Sequence, residues 1–155
     1  MFRVDAGSLE AYFAFDPART AELEELDALI RRAAPGLKCH FHAGTPAGEA
    51  GMRMTMIGYG RLQYAIKSGK TTPWPVIGVA LQKNYISVYV SITRGRKPLV
   101  SCYAGKLGEL RAGNNNFSFE KFADLNAPAV GSPFAEAAAI FKADKENPVR
   151  YMQGG

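Results

Sequence analysis

The sequence predicts an α+β domain built on a single antiparallel sheet of about five strands, with helices packed on one face and the other face open. Three observations lead there. Period-two apolar patterns cluster in the middle of the chain, at 52–56, at 62–67 and on both sides of Lys83-Asn84. Helical periodicity is confined to the flanks, at residues 8–34 and from Pro98 onward. Consecutive strands without helices between them pair antiparallel through short turns, so one sheet is expected, with the flanking helices covering one of its faces.

In order, Ser8 to Ala14 reads as a short helix burying Leu9, Tyr12 and Phe13. Asp16-Pro17 then starts a second helix, because Asp caps free N–H groups and Pro lacks the donor that the first turn leaves unused. Leu23, Leu26, Ile30 and Ala33 form its buried stripe, and Pro35-Gly36 stops it. Residues 43–51 read as a loop. Met52, Met54 and Met56 alternate with polar residues, as do Leu62, Tyr64 and Ile66, with Gly58 and Gly60 expected at the turn between these two strands. Residues 68–75 read as a second loop. VIGVALQ and YISVYVSI flank Lys83-Asn84, a two-residue hairpin connection in which Asn tolerates positive φ. Counting outward pairs Leu81 with Ile86, Ala80 with Ser87, Val79 with Val88, Gly78 with Tyr89 and Ile77 with Val90. Pro98 opens a helix through Leu107 that Gly108 ends, Phe117 and Phe119 bracket a short strand, and Ser132-Pro133 starts the last helix.

Charge is unevenly spread. Between Glu49 and Glu109 the chain has no Asp or Glu but nine cations: Arg53, Arg61, Lys67, Lys70, Lys83, Arg94, Arg96, Lys97 and Lys106. Extended to residues 53–113, ten bases face Glu109 alone, a balance of +9, against seven acids and four bases, or −3, in residues 1–34. The middle of the chain therefore favours an anionic partner and disfavours a metal cation. Two cysteines, Cys39 and Cys102, are too few for a disulfide framework, and no apolar run reaches the roughly 18 residues of a membrane helix. Asp5 and Glu10 interrupt any leader-like apolar segment, so one cytoplasmic domain over residues 1–155 is expected, with no membrane partner.

Strand parity places Gln63, Ala65, Lys67, Gly78, Ala80, Gln82, Tyr85, Ser87, Tyr89 and Ser91 on the open face. A floor of Gly, Ala and Ser beneath two tyrosines makes a shallow groove. Lys67, Trp74, Gln82, Lys83, Tyr85, Ser87 and Tyr89 are the expected ligand-binding residues, taking an anionic small molecule or an acidic segment of a protein partner. Trp74, held between Pro73 and Pro75, either walls that groove or plugs one end of the core.

Other chemistry has less to stand on. Cys39-His40-Phe41-His42 supplies two imidazoles on one side of an extended segment but no further ligand, which fits a loop pair of no chemical role. No GxSxG elbow, phosphate loop or GxGxxG is present, so catalysis is not expected. Arg94-Gly95-Arg96-Lys97 and the tyrosines raise nucleic acid as a third reading, which a moderate charge and the lack of an RNP1-like run disfavour.

The segments AYFAFDPARTAELEELDALIRRAAPG, MIGYGRLQYAIKSGKTTPWPVIGVALQKNYISVYV and YAGKLGELRAGNNNFSFEKFADL resemble the YdhG-like family of small bacterial domains of unknown function, across residues 11–140. The resemblance implies an α+β fold compared with frataxin and, since some relatives carry an iron-chaperone label, iron as an alternative cofactor. Such a role would rest on the acidic second helix, with Glu22 and Glu25 as oxygen ligands at i,i+3.

Overall fold

The computed structural model describes residues 4–44, 54–65, 71–94, 97–103, 105–108, 110–113, 115–143 and 149–152, the backbone alone for 63–65, 71–72 and 149–152. In chain order the elements are α1 (Leu9–Ala14), α2 (Thr20–Ala33), β1 (Cys39–His42), β2 (Met56–Tyr59), β3 (Leu62–Ala65), β4 (Thr71–Trp74), β5 (Ile77–Leu81), β6 (Ile86–Val90), β7 (Thr93–Arg94), β8 (Lys97–Pro98), α3 (Leu99–Cys102), β9 (Arg111–Ala112), β10 (Asn116–Phe119), a 3-10 turn (Phe122–Asp124), α4 (Ala127–Ala143) and β11 (Val149–Met152). The fold is α+β. Its main sheet has six strands in the order β1-β2-β5-β6-β10-β9, all antiparallel neighbours.

Ser8 caps α1, its hydroxyl accepting the Ala11 N–H at 3.1 Å. Asp16 does not cap α2. Its carboxylate accepts the Ala18 N–H at 3.1 Å and its carbonyl the Arg19 N–H at 2.9 Å, closing a separate turn, and helical geometry begins only at Thr20. The buried stripe of α2 is Leu23, Leu26, Leu29 and Ile30, with Ala33 only half-buried.

The β5–β6 hairpin has the register counted from Lys83-Asn84, pair for pair from Ile77 with Val90 to Leu81 with Ile86. Its turn differs in one respect: no described non-glycine residue, Asn84 included, has positive φ. The Gln82 N–H donates to the Tyr85 carbonyl at 2.9 Å, so the hairpin closes without a left-handed residue.

The expected β2–β3 hairpin does not form. Gly58 lies inside β2, opposite His40 on one side and Gly78 on the other. The left-handed residue is Gly60, at φ +72, whose N–H is held by the Lys38 carbonyl at 2.9 Å. From there the chain leaves the main sheet. Leu62 pairs with Trp74 and Ala65 with Thr71, so residues 71–74, expected as loop, form β4 in a second sheet ordered β11-β3-β4, with β11 parallel to β3. Pro73 is accommodated because β4 is an edge strand. Thr93-Arg94 and Lys97-Pro98 form a third, two-stranded sheet.

Glycine at 58 is a packing requirement: a Cβ there would lie 2.5 Å from His40 Cε1 and 2.8 Å from Nε2, while Nε2 is engaged with the Gly60 carbonyl at 2.7 Å. Gly58→Ala must displace the ring and break that bond. Chemical denaturation is expected to show a loss of about 1–3 kcal/mol.

Register divides the sheet into two faces. Cys39, Tyr59, Ile77 and Val90 form one row, and Phe41, Ile57, Val79, Val88 and Phe117 the next. This is the helix face, where Tyr12 of α1 approaches Phe41 and Phe134 of α4 stacks near Phe117, ring centroids 6.4 and 6.3 Å apart. The fully buried Leu23, Leu26, Ile30, Val130, Phe134 and Ala137 complete this core. α4 begins at Ala127, earlier than Ser132-Pro133 indicated: Asn126 Oδ1 accepts the Ala129 N–H at 3.4 Å and Pro128 sits in the first turn. Pro133 is therefore inside the helix. α3 is one turn, ending at Cys102 rather than continuing to Leu107, because Gly105 turns left-handed at φ +78.

The second face is not open throughout. Trp74 of β4, 3% exposed, lies over it, its ring edge-on to His42 and Tyr89 at 5.2 and 6.5 Å. Met56 covers Gly78, and Ala80 and Ser91 are buried. At the β6-β10-β9 end of this face Tyr85, Arg111 and Glu120 are exposed.

Candidate binding cleft at the β6–β10–β9 end

On this end of the second face, Ala80, Ser87, Ser118 and Arg111 are successive register partners from β5 to β9. Tyr85 precedes Ser87 by two residues and Glu120 follows Ser118 by two, so both share the row's face. Tyr85, Arg111, Ser118 and Glu120, together with Leu110, Phe119 and Asp124, line a cleft of about 360 Å³. That size lies within the usual range for small-ligand sites.

Each wall has an identifiable cause. Tyr85 stands beside the hairpin turn at 38% exposure, more than any other tyrosine whose side chain is described. The floor is set by Ser87 and Ser118, which share a hydrogen bond at 2.8 Å. The far wall is the 120–124 segment, clasped from the start of α2: Arg19, just before the helix, donates from a terminal guanidinium nitrogen to the Glu120 carbonyl at 3.0 Å, and Glu22 accepts the Phe122 N–H at 2.7 Å. Asp124 accepts the Lys121 N–H at 3.2 Å, closing the 3-10 turn. Arg111 and Glu120 form no ion pair with a described residue.

Of the seven residues expected to bind ligand, Tyr85 alone lines this cleft. Ser87 is 3% exposed and spends its hydroxyl on Ser118, so it is floor and not contact. Trp74 is a core plug, not a wall, because the second sheet carries it inward and its indole N–H donates to the buried Ser91 hydroxyl at 2.8 Å. Tyr89 is half-buried beside Trp74, and burial, with Tyr85 nearby, raises its phenol pKa. Gln82 points its amide to the Met54 sulfur at 3.7 Å, Lys83 is exposed at the turn, and Lys67 lies outside the described residues. Arg111, Glu120 and Asp124 were missed. Arg111 was countable as the tenth base of the basic region, but only its pairing with Ser118 puts it beside Tyr85.

On the acidic second helix, Glu22 and Asp27 are engaged within the fold. Glu22 Oε1 pairs with Arg19 at 2.9 Å while Oε2 holds the Phe122 N–H, and Asp27 is engaged by Arg31 and by the Tyr59 hydroxyl. Glu25 is exposed on its own. Among the described residues, no three His, Cys, Asp or Glu side chains gather in a way that could hold a metal. Arg94, counted toward a nucleic-acid face, is bound by Glu136 through two contacts of 2.6 Å and lies 5.7 Å from the Tyr103 ring centroid.

His40 and His42, read as a loop pair, stand on edge strand β1. His42 Nε2 is buried with no hydrogen-bond partner, and burial first, then His40 and Arg61, lowers its pKa from 6.5 to about 4. Between those values the unfolded chain binds a proton that the folded chain refuses. Stability present above pH 6.5 is therefore lost as pH falls toward 4. The loss is expected to be about 1–2 kcal/mol, below the full linkage value because solvent screens part of the ring, and His42→Phe should flatten this slope in urea titrations at stepped pH.

No described helix is long and apolar enough to cross a membrane. No family model matches the chain, and no curated protein or solved structure matches it significantly.

Proposed function

We propose that the chain is a non-enzymatic binding domain whose cleft between Tyr85 and Arg111 takes an anionic small molecule. The carrying observation is a guanidinium with no ion-pair partner among the described residues, set across a serine floor from an exposed tyrosine. Arg111 offers planar, two-pronged pairing to a carboxylate or phosphate, and Tyr85 offers ring area and a hydroxyl. The cleft volume favours a small molecule over an acidic partner segment. A cytoplasmic setting belongs to the same reading, in keeping with Cys39 and Cys102 as free thiols. The cleft supports it without the YdhG-like resemblance, whose iron implication would draw on Glu25 and on Glu22, a carboxylate that already holds Arg19 and the Phe122 N–H.

The test is a thermal-shift screen of aromatic and aliphatic carboxylates and phosphates on the wild type, Tyr85→Ala and Arg111→Gln. Hits should stabilise the wild type and lose their effect in both variants, while the unliganded melting temperatures stay close to wild type because both side chains are exposed. Stabilisation that persists undiminished in Arg111→Gln and Tyr85→Ala rejects the site.

A further inference from the structure

The cleft is not of one sign. Arg111 projects from β9, while Glu120, just past the end of β10, and Asp124 stand on the other side. Arg111 is the register partner of Ser118, and Glu120 is two residues further along, which makes Arg111 and Glu120 diagonal neighbours about 7–8 Å apart, with their Cβ atoms somewhat closer. They do not pair with each other, and no described side chain neutralises Glu120. A ligand carrying only negative charge would be drawn to Arg111 and repelled by two carboxylates at short range. A ligand with a cationic group at its other end turns both interactions to attraction.

We infer that the ligand is zwitterionic: an anionic group on Arg111, an ammonium-type group on Glu120 and Asp124, and a flat or apolar middle between Tyr85 and Leu110. The spacing of the two charges selects against α-amino acids, whose charged groups share one carbon, and for molecules that hold them a ring or a short chain apart. The inference rests on the cleft reading above and sharpens it, since a simple anion becomes the weaker ligand.

The probe is 4-(aminomethyl)benzoate, with 4-methylbenzoate and 4-methylbenzylamine as its single-charge counterparts, titrated by amide NMR into wild type, Glu120→Gln and Arg111→Gln. Amide shifts should centre on Tyr85, Arg111 and Ser118, with the zwitterion binding about tenfold or more tightly than either counterpart. Glu120→Gln should remove most of that advantage while leaving 4-methylbenzoate affinity unchanged or improved. Arg111→Gln should weaken both carboxylates. Equal binding of zwitterion and 4-methylbenzoate to the wild type, with shifts at the cleft, overturns the zwitterion inference and leaves the anion reading standing. Absence of cleft shifts with all three probes overturns both.

Discussion

Trp74→Ala is expected to lower stability by about 3–5 kcal/mol, the range for truncating a large buried aromatic ring. The indole is 3% exposed, edges onto His42 and Tyr89, and donates to Ser91, whose hydroxyl has no exposure of its own. Truncation opens a cavity between the main sheet and the β3–β4 pair and strips Ser91 of its donor. Trp74→Phe, which keeps most of the ring but not the N–H, should cost about 1–3 kcal/mol. Because Trp74 is the only tryptophan, unfolding of the variants is followed by circular dichroism in urea. A loss below about 1 kcal/mol for Trp74→Ala would mean a side chain that faces a ligand and not a core.

Gly108→Ala is expected to be of similar severity, about 3 kcal/mol or more, for a different reason. Gly108 has φ +120, and a Cβ there would sit 2.2 Å from the Asp124 carbonyl and 2.8 Å from the Asn126 N–H nitrogen. Both obstacles are backbone, so no side chain can swing aside. Gly108 bridges to Leu125 and the adjacent Leu107 carbonyl accepts the Asn126 N–H at 2.8 Å, so relief must separate these two segments. The substitution should also blunt cleft binding, because Asp124 forms part of the far wall. Gly105→Ala is the control: φ is +78 but the space around it is open, and a loss of only about 1 kcal/mol is expected. Equal melting temperatures for Gly108→Ala and wild type would show that the 107–108 and 124–126 segments do not meet.

What could be read along the chain was what neighbouring residues decide among themselves. Alternation in 77–82 and 85–91 specified the hairpin register because a slip of one residue would turn Val79 and Val88 away from the core. The three- and four-residue spacing of Leu23, Leu26 and Ile30 specified the buried stripe of α2 in the same way. The errors fell where a local signal had two uses. Asp16-Pro17 suits a turn as well as a helix start, and Asn126-Ala127-Pro128 was the stronger start signal for α4. Gly58 looked like a turn residue because glycine in a strand and glycine in a turn are indistinguishable until the His40 ring is seen lying on it.

The α+β class, the central hairpin and the division of that hairpin's residues between two faces were thus determined by the sequence itself, through periodicities that act over a few residues. Gln63 and Ala65, expected on the same open face, lie in the separate β3–β4 sheet instead. Tertiary structure decided what covers the second face. Gly60 sends the chain into a separate sheet that delivers Trp74 onto the Gly78 end, and α2 clasps residues 120–124 against the other. Those contacts join residues roughly 15 to 100 positions apart, for which one-dimensional patterning carries no signal, and they leave Tyr85 facing Arg111 across the part of the sheet that remains uncovered.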